Sequence, residues 1–170
     1  MDSREESGSP MQARPIRRKD RALSPEDCAE LLNRGEYGVL ATADAAGQPY
    51  AVPMSYVVMG RRLYFHSARE GHKIDNIQDN PRASFAVVGE TKPAYISSFS
   101  TYYESVVVFG PLVLIEEEKE KRESLVALAE KYLPEHMDKA ESDINRGYSR
   151  TAVYALEMEI VSGKANKPKK

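Results

Sequence analysis

The stretch "ESVVVFGPLVLIEE", Glu104 to Glu117, is the longest β-type run in the chain, and it is interrupted by Gly110-Pro111. Proline has no amide hydrogen for a sheet ladder and glycine brings no side chain to pack, so a strand that continues through this step must bulge or bend. A curled sheet needs such bends where a flat one does not.

The other β-type runs are shorter and closely spaced. "YGVLATAD" is followed by the turn "AAGQ" and then by "PYAVPMSYVVM", rich in Val and Tyr, which gives a hairpin. "MGRR" turns into "LYFHSA", the third strand of a meander, and "RASFAVV" and "RTAVYALEMEIVSG" supply the remaining runs. "KPAYISSFSTYY" reads as an aromatic loop. Helix signals are fewer. Ser24 as N-cap, Pro25 at the first helical position and Gly35 as a stop predict a short helix over Pro25 to Arg34. A second short helix is expected from Gly71 to Asn80, with Ile74 and Ile77 on one face, and a third in "EEEKEKRESLVALAEKYLP", with Leu125, Leu128, Ala129 and Tyr132 on one side. About six strands, short turns and peripheral helices predict a mainly β fold, a six-stranded antiparallel barrel rather than a parallel doubly wound sheet.

A chain of 170 residues with 41% hydrophobic composition supports one core and one domain. That domain is expected over residues 17–164, between a polar N-terminal tail (1–16) and a basic C-terminal tail (165–170). With a net charge of -2 and a pI near 6.0 there is no global basic field, so nucleic acid is not an expected partner. The run Arg17, Arg18, Lys19, Arg21 reads as a solvated charge cluster, with a local anion site as the alternative. No apolar run approaches the ~20 residues that cross a bilayer, and the N-terminus lacks the apolar middle of a signal peptide. Cys28 is the single cysteine and cannot form an intramolecular disulfide. These features predict a cytoplasmic protein with no membrane partner.

Two segments carry candidate chemistry. In "AVPMSYV", Pro53 interrupts pairing within a strong strand, which leaves two readings open: an ordinary edge-strand proline, or backbone groups of Met54 and Ser55 free for a ligand. In "LYFHSAREGHK", Leu63, Phe65 and Ser67 alternate with Tyr64 and His66. His66 reads either as a satisfied histidine or as a hydrogen-bond donor, acid–base group or metal ligand. Beyond it, Ser67, Gly71, His72 and Lys73 stand at the start of a helix, where free amides, the positive dipole end and the lysine charge favour an anion. No P-loop or dinucleotide fingerprint is present. His66 and His72 lie six apart across a strand-helix break and no CxxC or HExxH occurs, so no metal site is expected. A nucleophile elbow is also absent.

Together, "RRKDRALSPEDCAELLNRGEYGVLATADAAGQPYAVPMSYV", "LYFHSAREGHKIDNIQDNPRASFAV", "YYESVVVFGPLVLI" and "RTAVYALEMEIVSGKA" resemble the FMN-binding split-barrel proteins related to pyridoxamine 5'-phosphate oxidase, and within them the nitroimidazole-resistance, NimA-like branch. The resemblance spans Arg17 to Lys164. It implies a six-stranded split barrel that forms a homodimer with FMN between the subunits. It places Val52, Pro53, Met54, Ser55 and Tyr56 against the flavin ring, and Phe65, His66, Ser67 and Ala68 along the ribityl chain and phosphate. Gly71, His72 and Lys73 fall at the phosphate, with Lys73 neutralising it. The partner chain contributes from the region of Tyr103, and Lys164 matches the "SGK" close. His66 is the expected catalytic residue, giving a proton or hydrogen bond to a small acceptor such as a nitroaromatic compound. Two alternatives go with the same likeness: a binding or storage protein without turnover, holding heme through His66 or simply FMN, and a deazaflavin-dependent reductase. His72 stands where relatives carry Arg or Lys, and the Arg and His that bind pyridoxal phosphate near the C-terminus of true pyridoxamine phosphate oxidases have no counterpart.

Overall fold

A computed structural model describes residues 14–95 and 99–168; most of the expected N-terminal tail lies outside them. Among these residues eight strands form: β1 (Gly38–Ala43), β2 (Pro49–Met54), β3 (Val57–Met59), β4 (Arg62–Ala68), β5 (Arg82–Tyr95), β6 (Phe99–Leu114), β7 (Thr151–Glu157) and β8 (Ile160–Asn166). Four α-helices accompany them: α1 (Pro25–Arg34), α2 (His72–Asp79), α3 (Glu118–Tyr132) and α4 (Met137–Gly147). The antiparallel sheet runs β2-β1-β5-β6-β7-β4-β3, with β8 against the first half of β6. The two ends of this path, β2 and β3, are neighbours in sequence but do not pair, so the sheet curls and stays open between them.

The Gly110-Pro111 step is the corner. Up to Phe109, β6 pairs with β8; from Leu112 it pairs with β7. The chain crosses so close here that a Cβ on Gly110 would sit 1.8 Å from the Glu157 carbonyl oxygen. Only glycine fits, and the bend lets one strand serve both halves of the sheet.

Six expected strands become eight because two runs split. "PYAVPMSYVVM" divides after Met54: β2 pairs with β1 and β3 with β4, on opposite sides of the opening. "RTAVYALEMEIVSG" divides at Met158-Glu159, where β7 ends against β4 and β8 turns back along β6. The expected aromatic loop is instead a hairpin, pairing Lys92 with Tyr102 and Tyr95 with Phe99. The last strand continues through Asn166, so Ala165 and Asn166 belong to the sheet and not to a tail. α4 was not anticipated, since Met137, Ala140 and Ile144 are a thin apolar stripe and only half-buried.

Leu40, Leu63, Phe65, Phe85, Val106, Val108 and Leu156 fill the interior of the curl, and Cys28, Leu31 and Leu32 of α1 cover one opening. On the outer face of β4 and β7, Tyr64, Val153 and Ala155 pack with Ile115 and with Leu125 of α3. Both faces of β7 are therefore buried, which is why "AVYAL" reads as a continuous apolar run.

Candidate functional site

The β4–α2 junction is set by Gly71. Its φ of +117° is a conformation L side chains rarely adopt, and it starts α2 without any side-chain cap. The first amides of α2 thus lack a side-chain acceptor, the Ile74 and Asp75 amides donating to the Gly71 carbonyl, and with Lys73 in the first turn the arrangement is suited to an anion. Asn76, nearly fully buried, donates from Nδ2 to Thr42 Oγ1 at 3.0 Å and pins the helix to β1. One turn earlier, the His72 ring stands 4.2 Å from the Tyr50 ring, centroid to centroid, on β2. His72 is thereby held against β2, the edge strand that also carries Pro53. Tyr50, the partner of His72 here, was not singled out in the sequence.

β4 pairs with β7 so that His66 lies opposite Val153 and Ala68 opposite Thr151. Their end of the sheet forms a cavity of about 560 Å³ lined by His66, Ser67, Ala68, Arg69, Glu70, Arg150 and Thr151. The His66 ring is exposed in the single chain, yet partial desolvation by surrounding atoms, and then the Lys73 charge, hold its pKa below the ordinary histidine value. At neutral pH the imidazole is uncharged and able both to accept and to donate. Arg69 and Arg150 also escaped sequence reading. Arg150 reaches the site only through the β4–β7 pairing, which leaves no local signal.

β2 is an edge strand, with Ala51, Pro53 and Ser55 exposed and Val52 and Met54 packed on the core. Pro53 sits opposite Val39 of β1. Two of the expected ligand residues have buried side chains. Tyr56 is fully buried; its hydroxyl donates to the Leu32 carbonyl, its ring faces Phe85, and its amide donates to Tyr132 Oη. Phe65 is likewise buried, edge-on to Phe85. Both side chains belong to the core.

Tyr103 and Lys164 form a separate group on β6 and β8, with Lys164 Nζ 5.7 Å from the Tyr103 ring centroid. Burial pushes the Tyr103 phenol up, but interactions with Lys164 and Arg21 outweigh it and leave its pKa below that of free tyrosine. Within one chain these residues stand in the half of the sheet away from β4 and α2.

The residues present fit a flavin. A cavity of this size accommodates a small molecule. An uncapped helix start with a lysine answers a phosphate, and β2 beside it is an unpaired sheet edge.

Residues 24–165 match the pyridoxamine 5'-phosphate oxidase family. The chain belongs to that family. An uncharacterized protein of Rhizobium meliloti is 36% identical over 90 residues, 53% of this chain and 54% of that protein, so the match spans about half the length of the curated relative. Among solved structures, a protein from Bacteroides thetaiotaomicron named for 5-nitroimidazole antibiotic resistance superposes with a TM-score of 0.70 at 22% identity, covering 86% of this chain and 90% of that one. A FAD and heme binding protein from Mycobacterium smegmatis superposes with a TM-score of 0.75 at 21% identity, covering 85% and 72%. At these identities the likeness concerns the fold. Among the described residues, no helix is long and apolar enough to cross a membrane.

Proposed function

We propose that this chain binds the FMN unit of a flavin at the β4–α2 junction and uses it, as a cytoplasmic homodimer, to reduce a small organic acceptor such as a nitroaromatic compound. The observation that carries this reading is the junction itself. An uncapped helix start with Lys73 in its first turn stands beside an imidazole kept neutral, at the mouth of a cavity and next to an open sheet edge. The bound flavin supplies the redox chemistry. Lys73 and the first amides of α2 hold the phosphate, His72 braced on Tyr50 fixes the helix relative to β2, and the exposed backbone around Pro53 lies against the ring. His66 delivers a hydrogen bond or proton to the acceptor as charge builds on it.

A homodimer brings Tyr103 and Lys164 of one subunit to the site of the other. The two-stranded hairpin that ends in Tyr95 and Phe99 supports it: these rings are 74% and 96% exposed, an apolar tip that a second subunit would cover. A second reading is favoured by His66 alone, because an exposed neutral imidazole could also hold heme. An absorbance spectrum of the purified protein, before and after adding FMN or hemin, separates the two. Visible flavin bands support the first reading; a Soret band lost in His66→Ala supports the second; a colourless protein that takes up neither ligand refutes both.

A further inference from the structure

The end of the β4–β7 ladder extends the flavin reading and rests on it. The last pair of that ladder is Ala68 opposite Thr151. One residue beyond it stands an arginine on each side, Arg69 after β4 and Arg150 before β7; both are exposed, and both line the cavity that holds His66. Like charges set across an antiparallel pair repel. Arg62, Arg82 and Arg122 each reach a carboxylate, but among the described residues neither Arg69 nor Arg150 forms an ion pair. Glu70 also lines the cavity and pairs with neither of them, so two guanidiniums stand there against one carboxylate. With Lys73 close enough for its charge to act on His66, the mouth of the cavity carries net positive charge.

Lys73 and the α2 amides already answer the flavin phosphate in this reading, which leaves the two arginines without an anion from the cofactor. They share their cavity with the imidazole that serves the acceptor. Ala68 lies two positions along β4 from His66, about 7 Å, and Arg69 follows it, a separation that one substituted aromatic ring spans. A guanidinium meets a carboxylate in a planar two-point contact, so a pair of them favours an acid over a neutral molecule of the same shape. We propose that Arg69 and Arg150 bind an acid group carried by the acceptor itself, so that the substrates of this site are small aromatic carboxylates, held with the carboxylate at the arginines and the reducible group toward His66. The nitroaromatic compounds that fit are then nitro acids and not neutral nitroarenes.

Calorimetric titration of FMN-loaded, full-length protein with para-nitrobenzoate and with the neutral para-nitrobenzamide, at neutral pH and low salt, tests this. The acid should bind with a Kd about tenfold or more below that of the amide, the scale of one charge-assisted contact. Arg69→Gln and Arg150→Gln, both at exposed positions, should each reduce that preference and together abolish it, with the amide Kd and the FMN Kd unchanged. Equal Kd values for acid and amide in the wild type, no binding of either, or a preference that survives the double substitution overturns the proposal and leaves the flavin reading standing. So does a rise in the FMN Kd in both variants, which would give the arginines to the flavin phosphate. Should the protein bind no FMN, the flavin reading falls, and the same titration of flavin-free protein decides the acid site by itself: an arginine-dependent preference for the acid keeps it, and the lack of one overturns it.

Discussion

The phenol of Tyr132 bridges the break in strand pairing at Tyr56. Its oxygen accepts the Tyr56 amide at 2.8 Å and lies 2.9 and 2.7 Å from the carbonyl oxygens of Tyr56 and Glu36, to one of which it donates its single proton. The residue that carries the chain from β2 to β3 is thereby satisfied by a helix side chain in place of a strand neighbour. Tyr132→Phe keeps the ring and removes these partners, so stability should fall by about 1–3 kcal/mol. Urea unfolding should show a lower midpoint at an unchanged slope, since the surface exposed on unfolding is the same. A midpoint equal to wild type would mean that water replaces the hydroxyl.

Gly110 tests the corner of the sheet. A Cβ there meets backbone, the Glu157 carbonyl oxygen at 1.8 Å, and no flexible side chain can yield. Gly110→Ala must push β7 and β8 away from β6, with an expected loss of about 3 kcal/mol, the upper end of overpacking effects. Thermal unfolding followed by circular dichroism measures it. The control is Gly147→Ala, in α4, where the nearest atom to a new Cβ is 3.7 Å away and little change is expected.

The corner and the helix start were legible in the sequence because glycine and proline mark them locally: Gly110-Pro111, Ser24-Pro25 and Gly71 each dictate backbone geometry without reference to distant residues. What escaped was set by distant pairing. Nothing near Tyr56 announces that its amide goes to Tyr132, so "MSYVV" read as one strand. The alternation that set Leu63 and Phe65 apart from Tyr64 was correct, but alternation cannot tell a core from a ligand face, and Phe65 fell into the former. Arg150 reaches the site region only because β7 pairs with β4. The junction was readable as an anion site; the cations around it were not.

The pH behaviour of His66 follows from its surroundings. Desolvation and the Lys73 charge both lower its pKa in the folded state, so the unfolded chain binds the proton more readily. His66 therefore contributes no destabilisation above the unfolded value near 6.5, and stability falls as pH drops from there toward the folded pKa. An NMR titration of the imidazole proton should give a midpoint below that of a free histidine. Lys73→Met removes one of the two causes and should move the midpoint upward. No movement in that variant would leave desolvation as the whole cause.

Lys73 and His66 should separate in flavin binding. The ligand's charge is concentrated on its phosphate, and at the α2 start a positive side chain meets amides that no cap satisfies. Lys73→Ala should therefore raise the FMN Kd by roughly 10–100-fold, the range of a lost charge-assisted phosphate contact. His66, uncharged at neutral pH, contributes a hydrogen bond at most, so His66→Ala should raise it by less than about tenfold. Fluorescence titration of flavin-free protein gives both numbers, and raising the salt concentration should shrink the wild-type advantage over Lys73→Ala but not over His66→Ala. Wild-type affinity in Lys73→Ala would move the phosphate away from α2; a larger loss in His66→Ala would make the imidazole the anchor of whatever ligand is bound.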